Sequence, residues 1–191
     1  MNVFRERPDG LLSSAKQRPS PNQDERPPGC EIDLLVIHNI SLPPGKFGGP
    51  WIDDLFLNRL RSEQHPYFAE IAALRVSSHL LIRRDGESIQ YVPLHHRAWH
   101  AGESCFSGRE RCNDNSIGIE LEGTDEQPYT DAQYTALVEV TREIMARYPA
   151  ITPNRITGHA DISPGRKTDP GPAFDWERYR RMLLECRPDQ A

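Results

Sequence analysis

"IDLLVIHNIS", residues 32–41, is an almost unbroken apolar run of strand length, rich in β-branched residues, with a histidine near its carboxyl end. A strand with one wet face alternates apolar and polar residues. A continuous run predicts a strand covered on both faces, as in parallel or mixed sheets packed between helices. His38 then ends a rigid, buried element, from which a ring can project into a site built by the loops that follow.

The neighbouring segments extend this reading. "SIGIELEG" (116–123) alternates Ile117, Ile119 and Leu121 against Gly118, Glu120 and Glu122, the period-two pattern of a strand with one apolar and one polar face. "SSHLLIRRDGESIQYVP" predicts two strands joined around Asp85-Gly86, a dipeptide that tolerates the positive φ of a tight turn. "PWIDDLFLN" predicts a helix with Trp51, Leu55 and Ile52 on one side, and "PYFAEIAAL" a second. "TDAQYTALVEVTREIMARYP" carries the strongest helical stripe, from Tyr134 to Tyr148. Thr130 and Gln133 form its capping box and Pro149 ends it. "RITGH" predicts a short strand leading to His159, and "DWERYRRMLLEC" a last amphipathic helix with Asp175 as N-cap. The fold class expected is therefore α/β, a single domain whose mixed central sheet is covered by helices.

At 191 residues the chain suits one domain with a sizeable core. Its net charge of −5 and pI near 5.8 argue against a general binder of nucleic acid or anionic membrane, which depends on excess Lys and Arg. No stretch approaches the ~20 apolar residues needed to cross a bilayer, and the first residues lack the apolar core of a secretory signal. A cytoplasmic protein is expected. The four cysteines, Cys30, Cys105, Cys112 and Cys186, form no CxxC pair and are expected as free thiols, with Cys105 and Cys112 the only loose metal-ligand alternative. "QRPSPNQDERPPGC" (17–30) lacks apolar periodicity and predicts an extended arm, with the folded body starting near Glu31.

His38 and His159 each end a predicted strand, and two such ends side by side would supply half of a tetrahedral zinc site. An aspartate is a suitable third ligand, and "GHADISPGRKTDPGPAFDW" (158–176) offers Asp161, Asp169 and Asp175. Asp175 is explained by its cap role. Asp161 is equally a turn former. Asp169 precedes Pro170 and is biased toward extended backbone, which would turn Lys167 and Asp169 to one face about 7 Å apart. Glu120 is either polar surface or a carboxylate placed over a metal-bound water, with Gly118 leaving space beside it.

Taken together, "VIHNISLPPGKFGGPWIDDLF", "RVSSHLLIRRDG", "RAWHAG", "GRERCNDNSIGIELEGTD", "YTDAQY" and "RKTDPGPAFDW" resemble, in the same order, segments of the zinc-dependent N-acetylmuramoyl-L-alanine amidases of the peptidoglycan-recognition fold. The similarity covers nearly all of residues 31–184 and is greatest to the cytosolic, cell-wall-recycling branch that acts on 1,6-anhydro-muropeptides. The organisation expected is an N-terminal arm at 1–30, a domain at 31–186 that the resemblance implies is a zinc amidase, and a tail at 187–191. The resemblance implies that His38, His159 and Asp169 bind Zn2+, that Glu120 and Lys167 form the catalytic pair, and that Asn39, Arg75, Trp99 and Arg111 line the substrate groove. Guanidinium forks suit the carboxylates of a stem peptide, and an indole suits the apolar face of a sugar.

The activity so implied is hydrolysis of the amide between the lactyl group of (1,6-anhydro-)N-acetylmuramic acid and L-alanine, in peptidoglycan recycling, by a monomer that binds anhydro-muropeptide and neither nucleic acid nor membrane. A non-catalytic peptidoglycan-binding module is the main rival, but such modules usually lack part of the metal set. A secreted or phage-type amidase fits the missing signal segment less well. A zinc peptidase would be expected to carry HExxH or a related helix motif, and none is present.

Overall fold

A computed structural model describes residues 10–185. In chain order the elements are β1 (Lys16–Gln17), β2 (Gln23–Asp24), β3 (Leu34–Ile40), α1 (Trp51–Phe56), α2 (Phe68–Ile71), β4 (Leu80–Ile82) and β5 (Ser88–Gln90). There follow β6 (Arg97–Ala98), β7 (Cys105–Phe106), β8 (Arg109–Glu110), β9 (Ser116–Glu122), α3 (Asp131–Arg147), β10 (Ile156–Gly158), α4 (His159–Ile162) and α5 (Trp176–Leu184). Residues 1–9 of the expected arm, Cys186 and the tail at 187–191 lie outside the described residues.

Six strands form one mixed sheet in the order β1-β5-β4-β9-β3-β10, in which only β4 and β5 run antiparallel. The continuity of the β3 run follows from its position between β9 and β10, with cover on both faces. Leu35 and Ile37 point to α3 and α5, into a cluster with Ile117, Ile119, Leu121, Leu137, Ile144 and Tyr179. Leu34 and Val36 point the other way, against Ala101, Cys112 and Ile162. On that second face α1 and α2 cover only the β4–β5 side, through Ile52, Leu55, Phe56 and Phe68. The layer is thus incomplete above the carboxyl ends of β3 and β9.

The polar side of β9, formed by Gly118, Glu120 and Glu122, is enclosed, and all seven residues of the strand are buried. Glu122 is enclosed by Arg83 Nη1 at 2.9 Å and by the backbone N–H groups of Gly48 and Arg84 at 2.7 and 3.2 Å. Polar residues alternate here because the second face carries ion pairs and a site, not because it meets solvent. The second predicted helix also shrinks, to the single turn of α2 behind a short 3-10 turn at Ser62–Gln64. The turn at Asp85-Gly86 is present, with Gly86 at φ +88°.

The arm is extended and lies on the body. β1 pairs parallel with β5, β2 pairs with β6, and Leu12 is fully buried in the main core. Ion pairs Arg18–Asp53 and Arg97–Asp24 fasten it. Its deepest anchor is Arg26, whose guanidinium donates to the carbonyls of Asn113 (3.0 Å), Asp114 (2.9 Å), Leu94 (3.2 Å) and Ser116 (2.8 Å). Burial lowers this guanidinium to about 10, still well above neutrality, so it remains a charged donor.

Both predicted caps form. Thr130 accepts from Gln133 N at 3.1 Å while Gln133 Oε1 accepts from Thr130 N, and Asp175 Oδ1 accepts from Arg178 N at 2.8 Å. Thr130→Ala should lower the unfolding free energy by about 1 kcal/mol. Arg26→Leu leaves four partly buried carbonyls without this donor and should cost more, about 2–4 kcal/mol. Urea unfolding followed by circular dichroism checks both values and, more sharply, their order.

Candidate metal and catalytic centre

The parallel register of β3 and β9 sets His38 directly opposite Glu120. Adjacent strands lie about 4.8 Å apart, so the two side chains share one face. On the other flank β10 pairs Gly158 with Ile37, and the next residue, His159, begins α4 beside His38. The chain then turns through 163–167, where Arg166 N and Lys167 N both donate to Ser163 O. It returns so that Ala160 N donates to Asp169 O at 2.9 Å. The turn ends at Lys167, and Lys167 and Asp169 border the same groove.

Three donor atoms meet there. His38 Nδ1 and His159 Nδ1 are 3.0 Å apart, and each lies 3.1 Å from Asp169 Oδ2. Among the described residues this is the one group of His, Cys, Asp or Glu side chains so placed as to hold a metal ion. Burial pushes His38 down to about 4, a shift that the neighbouring His159 reinforces and Asp169 opposes. Burial would raise Asp169, but its contacts with His159 and His38 outweigh that and hold the carboxyl below the usual range. His159 Nε2 faces the carbonyl oxygen of Ala101 at 3.0 Å, an atom that can only accept, so Nε2 carries a proton and, in the neutral ring, Nδ1 presents a bare lone pair. Two ring nitrogens and a carboxylate oxygen facing one another with too few protons between them form a donor set that a cation satisfies.

Glu120 stands beside this triangle with its Oε2 buried and without a hydrogen-bond partner. Burial and the Asp169 carboxylate push its proton affinity well up, and Lys167 opposes them. A carboxylate so tuned is suited to accept a proton near neutral pH.

The groove around these residues has a volume of about 370 Å3, and its walls include Asn39, Tyr67, Leu74 and Trp99. Of the four expected substrate contacts, Asn39 and Trp99 line it. The Asn39 amide is engaged by Asp125 Oδ1 and Pro170 O at 2.7 and 3.1 Å, and the Trp99 indole N–H by Asp24 of the arm at 3.1 Å. Arg75 is exposed next to the wall residue Leu74, its guanidinium turned onto the carbonyls of Ala73 and Leu74. Arg111 is exposed at φ +61°, paired with Asp114 at 3.3 Å, and lines a second depression with Glu103, Ser163 and Arg166. A larger hollow of about 600 Å3 lies elsewhere, over the Arg83, Asp53 and Glu122 ion pairs, and holds none of the groove residues.

Asp161 points away from the triangle. Its Oδ2 accepts from Gly158 N at 2.9 Å and Thr157 Oγ1 at 2.7 Å, which caps α4 and steadies the turn carrying His159. Cys30, Cys105 and Cys112 are free thiols and none belongs to the donor cluster. Two contributors carried no signal in composition or periodicity: the ring of His100, 2.9 Å from His38 Nε2, and the Ala101 carbonyl on His159. Both sit in an irregular loop, where only the quoted "RAWHAG" segment marks them.

Residues 28–172 match the Amidase_2 family, N-acetylmuramoyl-L-alanine amidase. The chain is 63% identical over 175 residues to a 1,6-anhydro-N-acetylmuramyl-L-alanine amidase AmpD of Enterobacter cloacae, covering 92% of this chain and 93% of that protein. A crystal structure of a Se-Met AmpD derivative superposes with a TM-score of 0.89 at 62% identity, over 92% of this chain and 97% of the other. A further structure is AmiD from E. coli, an N-acetylmuramyl-L-alanine amidase in complex with anhydro-N-acetylmuramic acid-L-Ala-D-gamma-Glu-L-Lys. It superposes with a TM-score of 0.61 at 33% identity, over 87% of this chain and 63% of that one. With the family pattern spanning β3 to the loop that carries Asp169, and with overall identity this high, the chain belongs to the N-acetylmuramoyl-L-alanine amidase family.

Proposed function

We propose that this chain is a zinc amidase that cleaves the bond between the lactyl carbonyl of 1,6-anhydro-N-acetylmuramic acid and the nitrogen of L-alanine, acting as a monomer in the cytoplasm during peptidoglycan recycling. The observation that carries the reading is the meeting of His38, His159 and Asp169 within 3.1 Å beside the unpartnered carboxylate oxygen of Glu120. High identity to proteins named for the anhydro-muramyl reaction supports the substrate, as does the muropeptide bound to the related AmiD. No helix among the described residues is long and apolar enough to cross a membrane.

His38, His159 and Asp169 would hold the ion, and one carboxylate among the ligands lowers its charge from plus two to plus one. Bound there, zinc would act as a Lewis acid that brings the pKa of water toward about 7 and draws charge onto a carbonyl oxygen. The remaining steps fall to the chain's own groups. Glu120 takes the proton of the attacking water as its oxygen adds to the carbonyl carbon. The carbonyl oxygen becomes an anion that the Lys167 ammonium, on the same groove, stabilises, a contribution typically of about 3 kcal/mol per donor. Glu120 returns the proton to the alanine nitrogen as the carbon–nitrogen bond breaks, so the leaving group departs as an amine. Trp99, on the groove wall, would offer its indole face to the sugar, and Arg75, beside the wall residue Leu74, and Arg111, on the depression it lines with Glu103 and Arg166, would meet stem-peptide carboxylates.

Zinc-loaded protein incubated with anhydro-muropeptide should release free anhydro sugar and peptide, identified by mass, while intact sacculi should be poor substrates. Preference for sacculi would sink the recycling role. Glu120→Gln should keep its zinc but lose about two orders of magnitude or more in kcat. Asp169→Ala should lose zinc and activity together, whereas Asp161→Ala should retain zinc and lose only about 1 kcal/mol of stability, the value of its cap. Metal analysis by mass spectrometry that returned the opposite pair would reassign the third ligand.

A further inference from the structure

We infer that His100 is a positioning residue, which fixes the tautomer and the aim of His38 by accepting a hydrogen bond from its Nε2–H. The inference rests on the role of His38 as a metal ligand proposed above. Cys112 O can only accept, so the hydroxyl of Ser116, in contact with it, donates. Ser116 Oγ then faces His100 Nε2 at 3.2 Å with its proton already directed elsewhere, so His100 Nε2 carries the hydrogen. In a neutral ring that leaves His100 Nδ1 bare, 2.9 Å from His38 Nε2. The proton between them therefore belongs to His38 Nε2, and the lone pair of His38 Nδ1 is turned toward His159 and Asp169.

The neighbouring histidine does not compete for this part. His79 packs edge-on against His100 with ring centroids 5.7 Å apart, but its Nδ1 accepts from Gly118 N at 3.0 Å and its Nε2 faces the carbonyl of His96 at 3.1 Å. The His100 ring is also held in place. Asn113 Oδ1 accepts from the backbone N–H groups of both His100 and Ala101, at 3.1 and 2.8 Å. A Cβ added at Gly118 would meet the His100 ring at 2.5 Å, so the glycine of β9 provides the room in which the ring sits. Two consecutive residues on one pinned loop thus orient both imidazoles, His100 by its ring and Ala101 by its carbonyl. Partners behind metal-binding histidines commonly change metal affinity about 10–100-fold when removed.

The test compares His100→Leu, His100→Asn and Ser116→Ala with the unaltered protein, reading the zinc dissociation constant by competition with a chromophoric chelator. His100→Leu should weaken zinc by about 10–100-fold, and His100→Asn, whose side-chain oxygen can accept from His38, should restore most of that loss. Ser116→Ala should give a smaller loss in the same direction. Independently of any variant, nitrogen-15 NMR of the zinc-loaded natural sequence should find His100 neutral with its proton on Nε2. A proton on His100 Nδ1 overturns the inference even if His100→Leu fails to fold, and so does unchanged zinc affinity in folded His100→Leu. Failure of the unaltered protein to bind zinc would instead overturn the metal reading on which this one stands.

Discussion

The pairing of β3 with β9 is the constraint on which the rest depends. Two parallel strands in register cannot slip by one residue without sending every side chain to the opposite face. The core holds them in place, because Leu35, Ile37, Ile117 and Ile119 are buried against α3 and α5 on one side. Hydrophobic burial therefore decides that His38 and Glu120 stand side by side on the other. The chemistry inherits its precision from packing on the far face of the sheet, and the incomplete helical cover leaves both groups open to a groove.

The site is completed by elements with weaker intrinsic order. α4 is one turn long, and Asp169 lies in a loop. Each is tied by polar contacts: Asp161 caps the turn, Ala160 N reaches Asp169 O, and Asn39 and Tyr129 both hold the carbonyl of Pro170. Such hydrogen bonds contribute only about 1 kcal/mol apiece in net stability, but they are directional, and direction is what a ligand set requires.

Much of this was legible in the residues themselves. The buried run at 32–41, the capping box at Thr130 and the cap at Asp175 each reflect local physics that tertiary contacts leave alone. The burial of the polar side of β9 was not legible, because alternation reports only that two faces differ, and the partners of Glu122 come from residues 48, 83 and 84. Choosing Asp169 over Asp161 needed the family resemblance, since spacing says nothing of which aspartate a loop brings back. His100 escaped periodicity altogether, for it lies in an irregular loop, and the glycine that accommodates it is eighteen residues further on.

The arm has a consequence for the order of events in the cell. Every group that receives it lies later in the chain: Ile89 and Gln90 for β1, Ala98 and Arg97 for β2, and the carbonyls of residues 94, 113, 114 and 116 for Arg26. A ribosome delivers the amino-terminal part first, so these residues emerge long before anything exists for them to grip. Their docking closes loops of some seventy to ninety residues, the kind of non-local contact that slows assembly. Until then the outer edge of β5 stands open, exposing unpaired backbone groups to any other strand that arrives first.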